Sequence, residues 1–125
     1  MTAFVETGAR PLVAVICRVP LIGEALASTM DAIAEVRPFP ADGGDTDGLL
    51  RSLQPDAVVV DCDEEAEAAE AYARDSAVPL VCVHLRKEQI RAYRNGAWDD
   101  LAGGVSPEEI RNVLVGGIFG RRQVA

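Results

Sequence analysis

The sequence predicts a three-layer α/β fold, a parallel sheet with helices on both faces. Three observations lead there. Residues 55–61, Pro-Asp-Ala-Val-Val-Val-Asp, set four consecutive apolar, mostly β-branched residues between two acids, the pattern of a strand buried on both faces. Strand-like and helix-like patterns then alternate along the whole chain, as βαβ units require. Finally, Ser106-Pro107-Glu108-Glu109 opens a helix with an N-cap serine, a proline at the first position and an acid three residues on.

The elements follow in order. Residues 12–17 are apolar and β-branched, a first strand. Residues 21–33 repeat Leu21, Ile22, Ala25, Leu26, Met30 and Ile33 at helical spacing. Residues 35–39 suit a short edge strand, because Pro38 cannot donate to a ladder. Asp42-Gly43-Gly44-Asp45 is a turn, and a short helix runs through Leu49, Leu50 and Leu53. After the strand ending at Asp61, residues 64–74 form a helix with Ala66, Ala69, Tyr72 and Ala73 on one face. Residues 79–85 are a fourth strand. Residues 86–94 read as a basic helix stopped by Asn95-Gly96, and residues 98–101 as a short fifth strand. The last helix has Ile110, Val113 and Leu114 as its core face, then Ile118, and Gly116-Gly117 is expected to fray it from Phe119 onward.

Composition bounds the function. A chain of 125 residues suits one domain, with residues 1–10 and 120–125 expected as loose termini. A net charge of −8 argues against nucleic acid, whose phosphates need a basic surface. No apolar run reaches membrane-spanning length, and the N-terminus lacks the basic start and apolar core of a signal peptide. Three cysteines, Cys17, Cys62 and Cys82, in or beside strand-like runs suggest reduced thiols and a cytoplasmic location.

Three segments together resemble the receiver domain of bacterial response regulators, over about residues 11–119. Leu12-Val-Ala-Val-Ile-Cys-Arg-Val-Pro-Leu-Ile-Gly-Glu-Ala-Leu26 is similar to the first strand and helix of receivers in regulators with a LuxR-type DNA-binding domain. Residues 55–61 are similar to the "PDvvllD" strand that ends in the phosphoacceptor. Residues 96–110, Gly-Ala-Trp-Asp-Asp-Leu-Ala-Gly-Gly-Val-Ser-Pro-Glu-Glu-Ile, resemble "GADGYLLKDASPEEL" without a gap. The resemblance implies a flavodoxin-like architecture, a five-stranded parallel sheet of order 2-1-3-4-5 with five helices. It also implies phosphoryl transfer from a histidine kinase to an aspartate, assisted by Mg²⁺ on two acids after the first strand.

Carried over residue by residue, the phosphoacceptor position is kept as Asp61, while its surroundings change. The acid pair becomes Cys17-Arg18, the switch hydroxyl becomes His84, the switch aromatic becomes Asp100, and the lysine after the fifth strand becomes Gly103. Phosphoryl transfer depends on positioning and on neutralising phosphoryl charge, and Mg²⁺ favours carboxylate and water ligands. A pocket with Arg18 in place of an acid and Gly103 in place of the lysine lacks both aids. Asp61 is then either a phosphoacceptor with Arg18 mimicking the cation or one half of an Asp61–Arg18 salt bridge that locks one state. The salt bridge is the simpler reading.

Other residues carry weaker signals. His84 could sense pH but is more simply a half-buried polar residue. A shared Cys17/Cys62/His84 metal site matches no zinc spacing, so no metal or other cofactor is expected unless the phosphoreceiver alternative brings Mg²⁺. Trp98, two residues before Asp100, either replaces the switch aromatic or simply packs. Arg86, Lys87, Arg91 and Arg94 on a basic helix, beside Asp99, Asp100, Glu108 and Glu109, suit a self-complementary protein contact or a solvated surface with local ion pairs.

These readings describe a stand-alone degenerate receiver, or pseudo-receiver, a non-enzymatic signalling module acting through a protein partner or homodimer. No DNA-binding domain is expected to follow. The alternatives are a working response regulator phosphorylated on Asp61, and a small-ligand binder at the strand-end crevice using Arg18, His84 and Gly103-Gly104.

Overall fold

A computed structural model describes residues 11–41, 45–61, 63–84, 87, 89–94, 96–101 and 106–124. The expected loose N-terminus, the turn at 42–44, Cys62, Arg86 and Gly103-Gly104 lie outside them. The described chain is α/β, in the order β1 (Leu12–Cys17), α1 (Pro20–Met30), β2 (Glu35–Pro40), α2 (Thr46–Leu53), β3 (Ala57–Val60), α3 (Asp63–Ser76), β4 (Leu80–His84), β5 (Gln89–Arg94), β6 (Ala97–Leu101) and α4 (Pro107–Val124).

The strands form one six-stranded mixed sheet in the order β2-β1-β3-β4-β5-β6. β2, β1, β3 and β4 are mutually parallel, whereas β5 and β6 run antiparallel. Every residue of β3 is completely buried, as its unbroken apolar run demands. Alternation along the strands then splits the core in two. Val13, Val15, Cys17, Ala57, Val59, Val81, Val83 and Ile90 meet Leu26 and Met30 of α1 and Ile110 and Leu114 of α4. On the opposite face Ala14, Ile16, Val58, Val60, Leu80 and Cys82 meet Leu50 of α2 and Ala69, Tyr72 and Ala73 of α3.

The expected five parallel strands and five helices are corrected at one place. Residues 89–94, expected within a basic helix over 86–94, instead form β5, which pairs with β6 as an antiparallel hairpin. The described residues therefore hold six strands and four helices. The physical reason lies in Gln89-Ile-Arg-Ala-Tyr-Arg94, which alternates with period two. Ile90 and Ala92 turn to the face of α1 and α4, and Tyr93 packs on the other. Arg94 pairs with Ala97, so the connection is Asn95-Gly96, the residue pair most favoured in tight hairpins. Gly96 sits at φ +82°, a conformation glycine adopts without cost. Trp98–Leu101, expected as the fifth strand, is instead part of the antiparallel sixth.

The last helix begins as expected, with the Ser106 Oγ accepting the N–H of Glu109 at 3.1 Å. It continues through Gly116-Gly117 to Val124 instead of fraying at Phe119. Among the described residues no helix is long and apolar enough to cross a membrane.

Candidate functional site

Asp61 follows the last residue of β3, at the carboxyl edge of the parallel strands, where open α/β sheets place their ligands. Its own N–H donates to the carbonyl of Ile16 at 3.3 Å, which extends the β1–β3 ladder and fixes the residue's position. Its carboxylate accepts three main-chain bonds. The Arg18 N–H lies 2.8 Å from Oδ1 and 2.9 Å from Oδ2, and the Val19 N–H lies 3.0 Å from Oδ2.

These contacts have a local cause. Helix α1 has Val19 at its N-cap, with extended backbone (φ −103°, ψ 104°), Pro20 at its first position, and no acid in its first turn. Valine cannot accept a bond from the helix's open N–H groups, a task that serine, threonine, aspartate or asparagine usually performs. Asp61, 42 residues away, instead accepts the N–H of Val19 itself and of Arg18 before it, and its negative charge lies at the positive end of the helix dipole. The expected Asp61–Arg18 pairing thus involves the main chain of Arg18.

The acid-pair positions offer no carboxylate. Cys17 is buried in the core beneath α1, and Arg18 is exposed. Gly23 in α1 approaches β2 so closely that a Cβ there would meet the Pro38 Cβ at 2.8 Å, with the Cys17 Sγ at 3.8 Å. Cys82 is buried on the opposite face of the sheet from Cys17. His84, half-buried at the end of β4, continues the face of Leu80 and Cys82, whereas alternation past Val59 places Asp61 on the other.

The remaining switch and interface positions lie on the hairpin. Trp98 packs against Tyr93, ring centroids 5.3 Å apart at 57°, with the Arg91 guanidinium carbon 4.8 Å above its ring. Arg91 also donates to Asp100 at 2.8 Å, and Arg94 meets Asp99 at 3.5 Å. Four of the charges assigned to a partner surface are therefore paired across the two strands of one hairpin. Lys87 is exposed in the turn before β5, and Glu108 and Glu109 are exposed in the first turn of α4. Three strand spacings, about 14 Å, separate β6 from β3, so Trp98 does not neighbour Asp61.

Two acids with structural roles were not singled out from sequence. The Asp56 carboxylate accepts the Leu12 N–H at 2.9 Å, while the Asp56 N–H reaches the Leu12 carbonyl at 2.7 Å. That reciprocal clamp sets the register at the start of β1 and β3. Glu65 is buried on α3 and accepts the hydroxyl of Thr46, itself buried at the start of α2. The signal was present: Glu65, Ala69, Tyr72 and Ala73 recur at helical spacing, which places Glu65 on the inner face of its acidic run.

A shallow hollow of about 380 Å³ opens at the opposite, amino edge of the sheet, lined by Arg51, Gln54, Pro55, Asp56, Tyr72, Ser76 and Val78. The Tyr72, Arg51 and Asp56 side chains among them already serve the fold. The Tyr72 hydroxyl donates to the Pro55 carbonyl at 2.9 Å, and Arg51 bridges Asp47 of α2 and Asp75 of α3 at 2.9 and 2.7 Å. The Arg51 bond holds the Asp75 carboxyl below its ordinary value, and the two carboxylates raise the Arg51 guanidinium. No family model, curated protein or solved structure matches this chain.

Proposed function

We propose that this chain is a receiver-like signalling module that acts through contact with a protein partner, its Asp61 serving as a structural acid and not as a phosphoacceptor. The observation that carries the reading is the engagement of both Asp61 carboxylate oxygens by the Arg18 and Val19 N–H groups. An acyl phosphate needs one of those oxygens and places new bulk and charge where the two N–H groups now lie. It also needs charge neutralised around the phosphoryl group. The positions corresponding to a receiver's acid pair are a thiol in the core and an arginine, neither of them a ligand suited to Mg²⁺.

The parallel β2-β1-β3-β4 arrangement supports the resemblance for the first four strands. The hairpin in place of a fourth helix departs from it, and there the output surface must differ from a receiver's. The hairpin displays Asp99 and Asp100 on opposite faces of β6, each side chain more than half exposed even while paired.

The test is an amide NMR titration with beryllofluoride and Mg²⁺. Unmoved Arg18, Val19 and Asp61 resonances in the folded protein are expected. Saturable shifts that Asp61→Asn abolishes would instead make the chain a working phosphoreceiver.

A further inference from the structure

We propose that Asp61 is a tertiary latch on α1, its carboxylate deciding whether the exposed first turn of that helix is ordered. The inference deepens the structural reading of Asp61 above and rests on the same contacts. Two forces could hold the start of α1, burial and hydrogen bonding, and the structure separates them by position.

Burial begins at Ile22, half-buried against the core, becomes close at Gly23, which packs against Pro38, and continues at Leu26 and Met30. Arg18, Val19, Pro20 and Leu21 are all exposed, Leu21 by 67% and Val19 by 39%. Apolar burial therefore anchors the end of this turn at Ile22 and contributes little to residues 18–21. The order of those residues rests on the 3.1 Å bond from the Ile22 N–H to the Val19 carbonyl and on the three bonds to Asp61. The first is a single terminal helix bond, of the kind that frays readily. The Asp61 bonds are charge-assisted, and such bonds are roughly twice as strong as neutral ones.

The latch has a rigid anchor. Asp61 is tied to β1 through Ile16 and stands two residues before the start of α3, so it does not move with α1. Whatever withdraws the carboxylate takes the acceptor from the Arg18 and Val19 N–H groups and frees the entry to the helix. Conversely, an ordered first turn opposes any cation or group that seeks the carboxylate, since coupling between two binding events is reciprocal. The turn displays Val19 and Leu21, the large apolar side chains left exposed among the described residues. The device thus links the Asp61 carboxylate at the strand end to an apolar tip.

Hydrogen exchange on the full chain tests it. Asp61→Asn keeps the side chain's shape but removes its charge and one acceptor oxygen. Exchange across residues 18–22 is expected to quicken by roughly five- to ten-fold, the scale of a lost helix cap, with the α1 amides from Leu26 to Met30, and those of β3, unchanged. Adding Val19→Asp to that variant supplies an N-cap acceptor for the Leu21 and Ile22 N–H groups and should restore protection at those two amides. Exchange at 18–22 that stays at the native rate in Asp61→Asn, or a uniform rise along the whole chain with no rescue by Val19→Asp, would overturn the latch. The beryllofluoride titration reads a different property, so the latch and the loss of phosphoryl chemistry can fail separately.

Discussion

Glu65 shows how much one side chain can carry when the chain closes around it. Its carboxylate accepts the Thr46 hydroxyl where α2 and α3 begin, and both residues are buried. Glu65→Ala would leave that hydroxyl without its acceptor and open a void, a loss of about 1–3 kcal/mol. Urea denaturation reads it as a lower midpoint. Thr46→Val removes the donor but leaves a buried carboxylate unmet and should cost at least as much. Asp75 acts in the open, where its worth depends on pH. Arg51 holds its folded-state pKa below the ordinary value, so the pair's stabilisation is fully present above that ordinary value and is lost as pH falls through the lowered one. Asp75→Asn should therefore reduce the dependence of the urea midpoint on pH on the acid side and leave the slope near neutrality unchanged. Retention of the native acid slope would assign that slope to other carboxylates.

At the scale of elements, local pattern was legible and tertiary competition was not. The β3 strand, the start of α4 and the proline-containing edge strand β2 each follow from residues within one short window. The hairpin was missed because Arg86, Lys87, Arg91 and Arg94 suggested a solvated helix, while the two-residue alternation and Asn95-Gly96 carried the opposite message. The tie between Asp61 and the entry to α1 was not legible, since valine stands at the N-cap, where an acceptor belongs. Its donor–acceptor pair spans 42 and 43 residues, a separation that no local pattern encodes. Gly23 makes a similar point about packing. Alanine at this helix position would gain about 1 kcal/mol in propensity, but its Cβ would stand 2.8 Å from that of Pro38. The proline ring is held in β2 and cannot rotate aside, so overpacking wins. Gly23→Ala should lower stability by about 1–2 kcal/mol net, seen in thermal unfolding; a higher melting temperature would mean that α1 slides freely over β2.

Across the whole molecule, the sheet is parallel on one side and antiparallel on the other, and its two edges are protected differently. β2 carries Pro38 and Pro40, and β6 carries Asp99 and Asp100, both established ways of discouraging strand addition. The parallel half places Asp61 at a carboxyl edge, as the sequence indicated. The relation of Asp61 to its neighbours was not legible, because it depends on which face each strand turns to each helix. His84 and Asp61 consequently fall on different faces, and Trp98 lies three strands away. The most direct test of Asp61 as a structural acid is incubation of the folded protein with acetyl phosphate and Mg²⁺, followed by intact mass measurement beside Asp61→Asn. An unchanged mass in both proteins is the expected result. A phosphoryl adduct on the native chain that is missing from Asp61→Asn would contradict it.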